Sequence, residues 1–378
     1  MVTALRESGV AHFNCSVLSG FIEEAGRINQ GVDRQILDGC LDDPLLRPSI
    51  RFLHPSHDFT DADLERCMSA LAHPEVGAWS FGDLLWRQEF AALPAEKLLE
   101  LAVMLLEKPN GDEAILDALG MKLHDKDKTI DTLGSDLRRI GLIAATRRLG
   151  RERNGNTASI DHHMARVTAA CLPRDGHDDE KSAWLDAIFS SVDARYGTSP
   201  RYDKTIQVTA ATLTEQFLDR VFDGDEQQRQ YRLHFLERGG YRKPVLANAD
   251  VGRIIAWCNS KGDPAIWEGV ARAVPLFETI GEEKTVSIGE VSSRFLEASP
   301  FPEQVLSSYA GRITPSGWSG SRAGIMEQNV NALAVLTEHK NPAISTLATR
   351  MVAEAKTWIR REHDRERRED EANEQRFE

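Results

Sequence analysis

Asp263-Pro264-Ala265-Ile266-Trp267-Glu268-Gly269-Val270-Ala271-Arg272-Ala273-Val274-Pro275-Leu276-Phe277 is the stretch from which the fold class can be read. Ile266, Trp267, Val270, Val274 and Phe277 return at steps of three and four, the period of one helix face. Proline suits the first helical position, because the N–H it lacks would have had no partner there. The aspartate before it can accept from the free amides of the first turn. The same order of polar residue, proline and aliphatic residue recurs at Asp43-Pro44-Leu45-Leu46, His73-Pro74-Glu75-Val76 and Asn341-Pro342-Ala343-Ile344. Each copy predicts a tight turn between two packed antiparallel helices.

Working outward, Ile206, Ala210, Leu213, Phe217 and Val221 line one predicted helix face, and Ile344, Leu347, Met351, Ala355 and Trp358 line another. Leu98 to Leu106 is apolar nearly all round and predicts a helix buried on most sides. Ser287 with Glu290, and less completely Thr60 with Asp63, have capping-box spacing. Gly150, Gly197 and Gly281 stand where helices should stop. Only Thr285–Ile288 suggests an extended piece. The expected fold is all-α: an irregular α-solenoid of antiparallel helix pairs, HEAT- or armadillo-like, ending in a charged helix. Composition divides it into N-terminal helical repeats over 1–150, a central helical region over 151–250, C-terminal HEAT-like repeats over 251–359 and a charged, solvated tail over 360–378.

Composition narrows the function classes. A chain of 378 residues, 41% hydrophobic and 28% charged, has ample core material. No apolar run approaches the roughly 18 residues of a membrane span, and no signal peptide is visible, so a cytoplasmic location with no membrane partner is expected. The net charge of −13 disfavours broad nucleic-acid binding, which needs a basic surface to displace counterions. Five widely spaced cysteines with no CxxC read as core residues, not as a disulfide framework or zinc site. P-loop, dinucleotide-binding, GxSxG and HExxH motifs are missing, and no cofactor or metal site is expected.

Three groups carry the candidate chemistry. His57-Asp58 and Asp161-His162-His163 are the histidine–acid pairs that an all-α, HD-like, metal-dependent hydrolase would need, since carboxylate and imidazole together suit a water-activating divalent metal. Helix caps explain the same residues, and neighbours such as His162 and His163 point about 100° apart on a helix. Arg138, Arg139, Arg147, Arg148, Arg151 and Arg153 form the strongest basic spot, a candidate for nucleic acid or phosphate, although the helical arginines spread around the axis. Trp318 and Arg322 flank a capping Ser-Gly-Ser before a helix whose Met326, Val330, Leu333 and Leu336 point inward. They are candidate partner contacts of the residue types enriched in hot spots.

The run Trp318-Ser-Gly-Ser-Arg322, the turn His339-Lys-Asn-Pro342-Ala-Ile344 and the charged Trp358-Ile-Arg-Arg-Glu362 resemble the C-terminal ends of bacterial helical-repeat proteins, STAND-type and related NTPases of antiphage defence. The resemblance covers about the last sixty residues and rests on structural turns. It implies a helical array that senses a trigger or binds a partner while another module does the chemistry. This chain carries no nucleotide-binding motif or effector domain, so it is either part of a longer protein or a free-standing accessory. The expected function is a non-enzymatic scaffold or sensor that binds a protein. A metal-dependent hydrolase and a nucleic-acid-binding repeat protein are the alternatives.

Overall fold

The computed structural model describes residues 15–54, 59–87, 93–124, 134–151, 157–173, 176–194, 202–238, 244–280, 285–315 and 317–377. Among them lie eighteen α-helices and one two-stranded sheet, so the fold is all-α. No described helix is long and apolar enough to cross a membrane. The chain divides into two compact units, Met1–Ser191 and Val192–Glu378.

In the first unit the helices are α1 (Ser16–Ile28), α2 (Val32–Asp42), α3 (Ile50–Leu53), α4 (Asp61–Ala72), α5 (Ala95–Leu106), α6 (Gly111–Lys122), α7 (Ser135–Leu149) and α8 (Thr157–Cys171). The next, α9 (Asp178–Asp193), contains the boundary. Helices pack on their next-but-one neighbours as well as on the next: α1 on α3, α2 on α4, α5 on α7 and α6 on α8. Leu98, Leu101, Ala102, Leu105 and Leu106 of α5 are buried, while Val103 faces outward. α6, α7 and α8 approach so closely that a Cβ on Gly141 would stand 2.8 Å from the Cys171 sulfur and 3.0 Å from Leu119 and Val167. Only glycine allows that contact without moving a neighbour.

The second unit holds α10 (Asp203–Thr212), α11 (Thr214–Phe222), α12 (Glu226–Arg238), α13 (Val251–Lys261), α14 (Pro264–Ala273), β1 (Phe277–Ile280), β2 (Thr285–Ile288), α15 (Glu290–Ala298), α16 (Pro302–Ala310), α17 (Arg322–Ala334) and α18 (Pro342–Phe377). The next-but-one packing continues as α11 on α13, α12 on α14, α13 on α15, α14 on α16 and α16 on α18. The strands are antiparallel, with Phe277 opposite Ile288 and Ile280 opposite Thr285, and β2 lies against α17. Trp267, fully buried, packs 4.7 Å from Phe295. Each such side chain removed from water contributes on the order of 2–3 kcal/mol.

Local expectations fare unevenly. Asp263 caps the amide of Ala265 at 2.8 Å and Asn341 that of Ala343 at 3.0 Å, and Pro264 and Pro342 open α14 and α18. Asp43 caps Leu45 at 2.9 Å but leads into a turn and the 3-10 segment Arg47–Ser49, and His73-Pro74 opens no helix. The single face expected through Leu213 is two helices that meet at that residue, and all five of its side chains are buried. Thr285–Ile288 is a strand as expected, which places Ser287 in β2 and leaves Gly289 as the N-cap of α15. The capping box that forms is Thr60–Asp63, whose carboxylate accepts from the Thr60 amide at 2.8 Å and its hydroxyl at 2.7 Å. Gly150 ends α7, whereas Gly197 and Gly281 lie outside the described residues. Cys40, Cys67, Cys171 and Cys258 are buried, and burial pushes the Cys171 and Cys258 thiols up to about 12. Thiols held neutral in this way are inert.

Candidate functional site

The arginines at the end of α7 pair with groups of neighbouring elements, Arg148 buried and Arg147 and Arg151 partly exposed. Arg147 donates to the Leu106 carbonyl at 2.8 Å and to Glu107 at 3.2 Å, at the C-terminus of α5. A helix C-terminus carries unpaired carbonyls and negative partial charge, so a guanidinium from a neighbouring helix satisfies both. Arg148 is buried, its Nη2 3.1 Å from Glu113. Arg151 stands 2.6 Å from the fully buried Asp112. Arg138 lies near Cys171, and Arg139 is exposed. Arg153 lies outside the described residues.

Of the histidine–acid pairs, His57 and Asp58 lie outside the described residues. Asp161 is buried at the start of α8. The rings of His162 and His163 are 5.9 Å apart and tilted by 54°, and His163 turns to Asp117 of α6 at 3.0 Å. Among the described residues no three His, Cys, Asp or Glu side chains come together as metal ligands would.

A buried network that joins His54 to Asp63 was not legible in the sequence. His54 Nδ1 lies 3.2 Å from Asp63, Arg66 reaches the same carboxylate at 2.7 Å, and Arg51 pairs with Asp83 at 2.8 Å. Burial pushes the Asp63 carboxyl up, but the bonds from His54 and Thr60 outweigh it and hold it well below the usual range. The network ties α3 to α4 and to the 3-10 segment Gly82–Leu85. Thr60, Asp63 and Arg66 are linked by helical spacing, but nothing in the sequence joins them to His54 or Arg51 to Asp83.

Trp318 and Arg322 do come together at a surface. Trp318 is 46% exposed, and the Arg322 guanidinium lies 4.6 Å from its ring centroid. Arg322 is braced from behind by Glu362 at 3.4 Å. Ser321 caps α17 by accepting from the Gly324 amide at 2.9 Å. Glu366 completes that cap, accepting from the Arg322 amide at 2.6 Å, the Ala323 amide at 3.1 Å and the Ser321 hydroxyl at 2.8 Å. Those bonds, the Ala323 amide's foremost, hold the Glu366 carboxyl below its ordinary value. An exposed tryptophan under a guanidinium fixed by a carboxylate is a rigid aromatic and cationic surface whose side chains lose little freedom on contact. Glu362 and Glu366, on the charged helix some forty residues on, are the members sequence reading missed.

No protein-family model matches this chain, and no curated protein or solved structure is detectably similar to it.

Proposed function

We propose that the chain is a non-enzymatic, cytoplasmic helical-repeat scaffold, a HEAT-like stack of helix pairs that binds a protein partner through the Trp318–Arg322 surface. Its place would be that of the sensing arrays in the STAND-type defence proteins that its C-terminal end resembles. One observation carries the reading: five bonds between helices span 38 to 41 residues, whereas in the first part of the chain Arg66 reaches Asp38 at 28 and Arg51 reaches Asp83 at 32. Arg147 reaches Leu106, 41 residues back. Arg232 reaches Asp193 at 39 and Arg253 reaches Thr212 at 41. Trp257 reaches Asp219 at 38, and Arg312 reaches Ala271 at 41. A period of about 40 residues with next-but-one packing is what stacked helix pairs produce, since equivalent positions then meet across each interface.

The alternatives have less support. The hydrolase needs several donors around one point, and the described residues assemble none. The nucleic-acid reading needs guanidinium groups free to meet phosphate, and Arg147, Arg148 and Arg151 are each paired within the chain, Arg148 buried and the other two partly exposed. The test is affinity capture from bacterial lysate followed by native mass spectrometry, run beside Trp318→Ala and Arg322→Ala. A stoichiometric protein partner lost in both variants is the expected result. A bound divalent metal, with phosphoester hydrolysis abolished by His57→Ala and Asp58→Ala, would overturn the proposal.

A further inference from the structure

α18 runs on beyond its packing partners. From Arg367 to Gln375 every residue is exposed, and an overhang to Phe377 is about 16 Å long at the helical rise. A short helix with no tertiary contact is marginal in water. Its charge is polarised along its length. Residues 360–368 hold five arginines, Arg360, Arg361, Arg365, Arg367 and Arg368, against Glu362, Asp364 and Glu366. Residues 369–377 hold Glu369, Asp370, Glu371 and Glu374 against Arg376 alone.

Internal pairing uses part of this charge. Arg365 bridges Glu362 and Glu369, and Arg367 bonds Asp364 at 2.8 Å. Among the described residues, Asp370, Glu371 and Glu374 are exposed and make no ion pair, and Arg361 makes none either. Glu362, His363 and Glu366 bond toward α17, but Arg360, Arg361, Arg367 and Arg368 are exposed, so this basic half followed by the acidic half is complementary to itself when a second helix is turned end for end. The basic half of each copy then faces the acidic half of the other, twice over, as a two-fold interface requires. Parallel pairing would set like charge on like.

We propose that the charged end of α18, residues 360–377, pairs antiparallel with the same helix of a second copy of this chain, making a weak, salt-sensitive homodimer. Exposed ion pairs are individually weak and are screened by salt, so the association strengthens as ionic strength falls. The proposal is independent of the scaffold reading, which stands or falls with the Trp318 surface.

Sedimentation equilibrium of the full chain tests it. Dimers are expected at low ionic strength and monomers at high. Asp370→Lys, Glu371→Lys and Glu374→Lys combined make the whole segment basic. Arg360→Glu, Arg361→Glu and Arg367→Glu combined make it acidic. Each triple variant should weaken self-association about tenfold or more, as expected when several exposed pairs are lost. An equimolar mixture of the two should form heterodimers. Circular dichroism establishes that helix content is retained. Three outcomes would overturn the proposal: a wild-type monomer at every salt concentration, a dimer indifferent to both variants, or variants that stay monomeric when mixed.

Discussion

The arginine-rich stretch at the end of α7 and the charged end of α18 look alike in composition and use their charges in opposite directions. In the first, Arg147, Arg148 and Arg151 pair across to a helix C-terminus, to Glu113 and to Asp112, with Arg148 buried and the other two partly exposed. In the second, Arg365 and Arg367 pair with acids one turn away on their own helix, and among the described residues it is Glu362, His363 and Glu366 that reach another element, α17. A guanidinium on a long stem can cover apolar surface and still find carbonyl or carboxylate partners between stacked helices. A basic run therefore does not by itself mark a nucleic-acid surface. What decides is whether a neighbouring helix offers unpaired carbonyls at that height.

The contrast can be broken by substitution. The largest effect is expected at Arg148→Ala, about 3 kcal/mol of lost stability in urea denaturation, because a buried ion pair loses one member. A change close to zero would mean that the inward charges are as dispensable as the tail. Asp63→Asn should cost about 2 kcal/mol, the scale of hydrogen bonds to a charged group. It should also flatten the acid limb. The folded carboxyl titrates below its unfolded value, so its contribution is complete above the ordinary aspartate pKa of about 3.9 and drains away as pH falls further. An unchanged pH profile of the denaturation midpoint would remove Asp63 from that role. Glu366→Ala should cost about 1 kcal/mol, a lost helix cap, with amide exchange quickening at Arg322 and Ala323. The smallest effect belongs to Arg367→Ala, within about 0.5 kcal/mol in the same urea assay, as for an exposed residue outside any cap or core. A larger loss there would place the tail with the inward arginines.

The all-α class, the burial of Met326, Val330, Leu333 and Leu336, and the proline-started helices at Pro264 and Pro342 were legible in the sequence, because apolar period and capping chemistry are local. The break at Leu213 was not, since the apolar period runs through it unbroken. Trp358 shows the same limit: it continues the period of Ile344, Leu347, Met351 and Ala355, yet it is 45% exposed while those four are buried. Periodicity says which residues share a face, and packing says how far along the helix that face is covered.

Of the candidate surface, the sequence by itself determined Trp318, Arg322 and the Ser321 cap, all set within one turn of a helix start. Tertiary structure alone decided that Glu362 and Glu366 hold that turn in place, that Arg147 closes α5, and that His54 meets Asp63. The physical reason is range. Caps and helix faces are fixed by residues three or four apart, whereas these contacts join positions about nine to forty-four residues apart, where only the packing of one helix on another sets the distance.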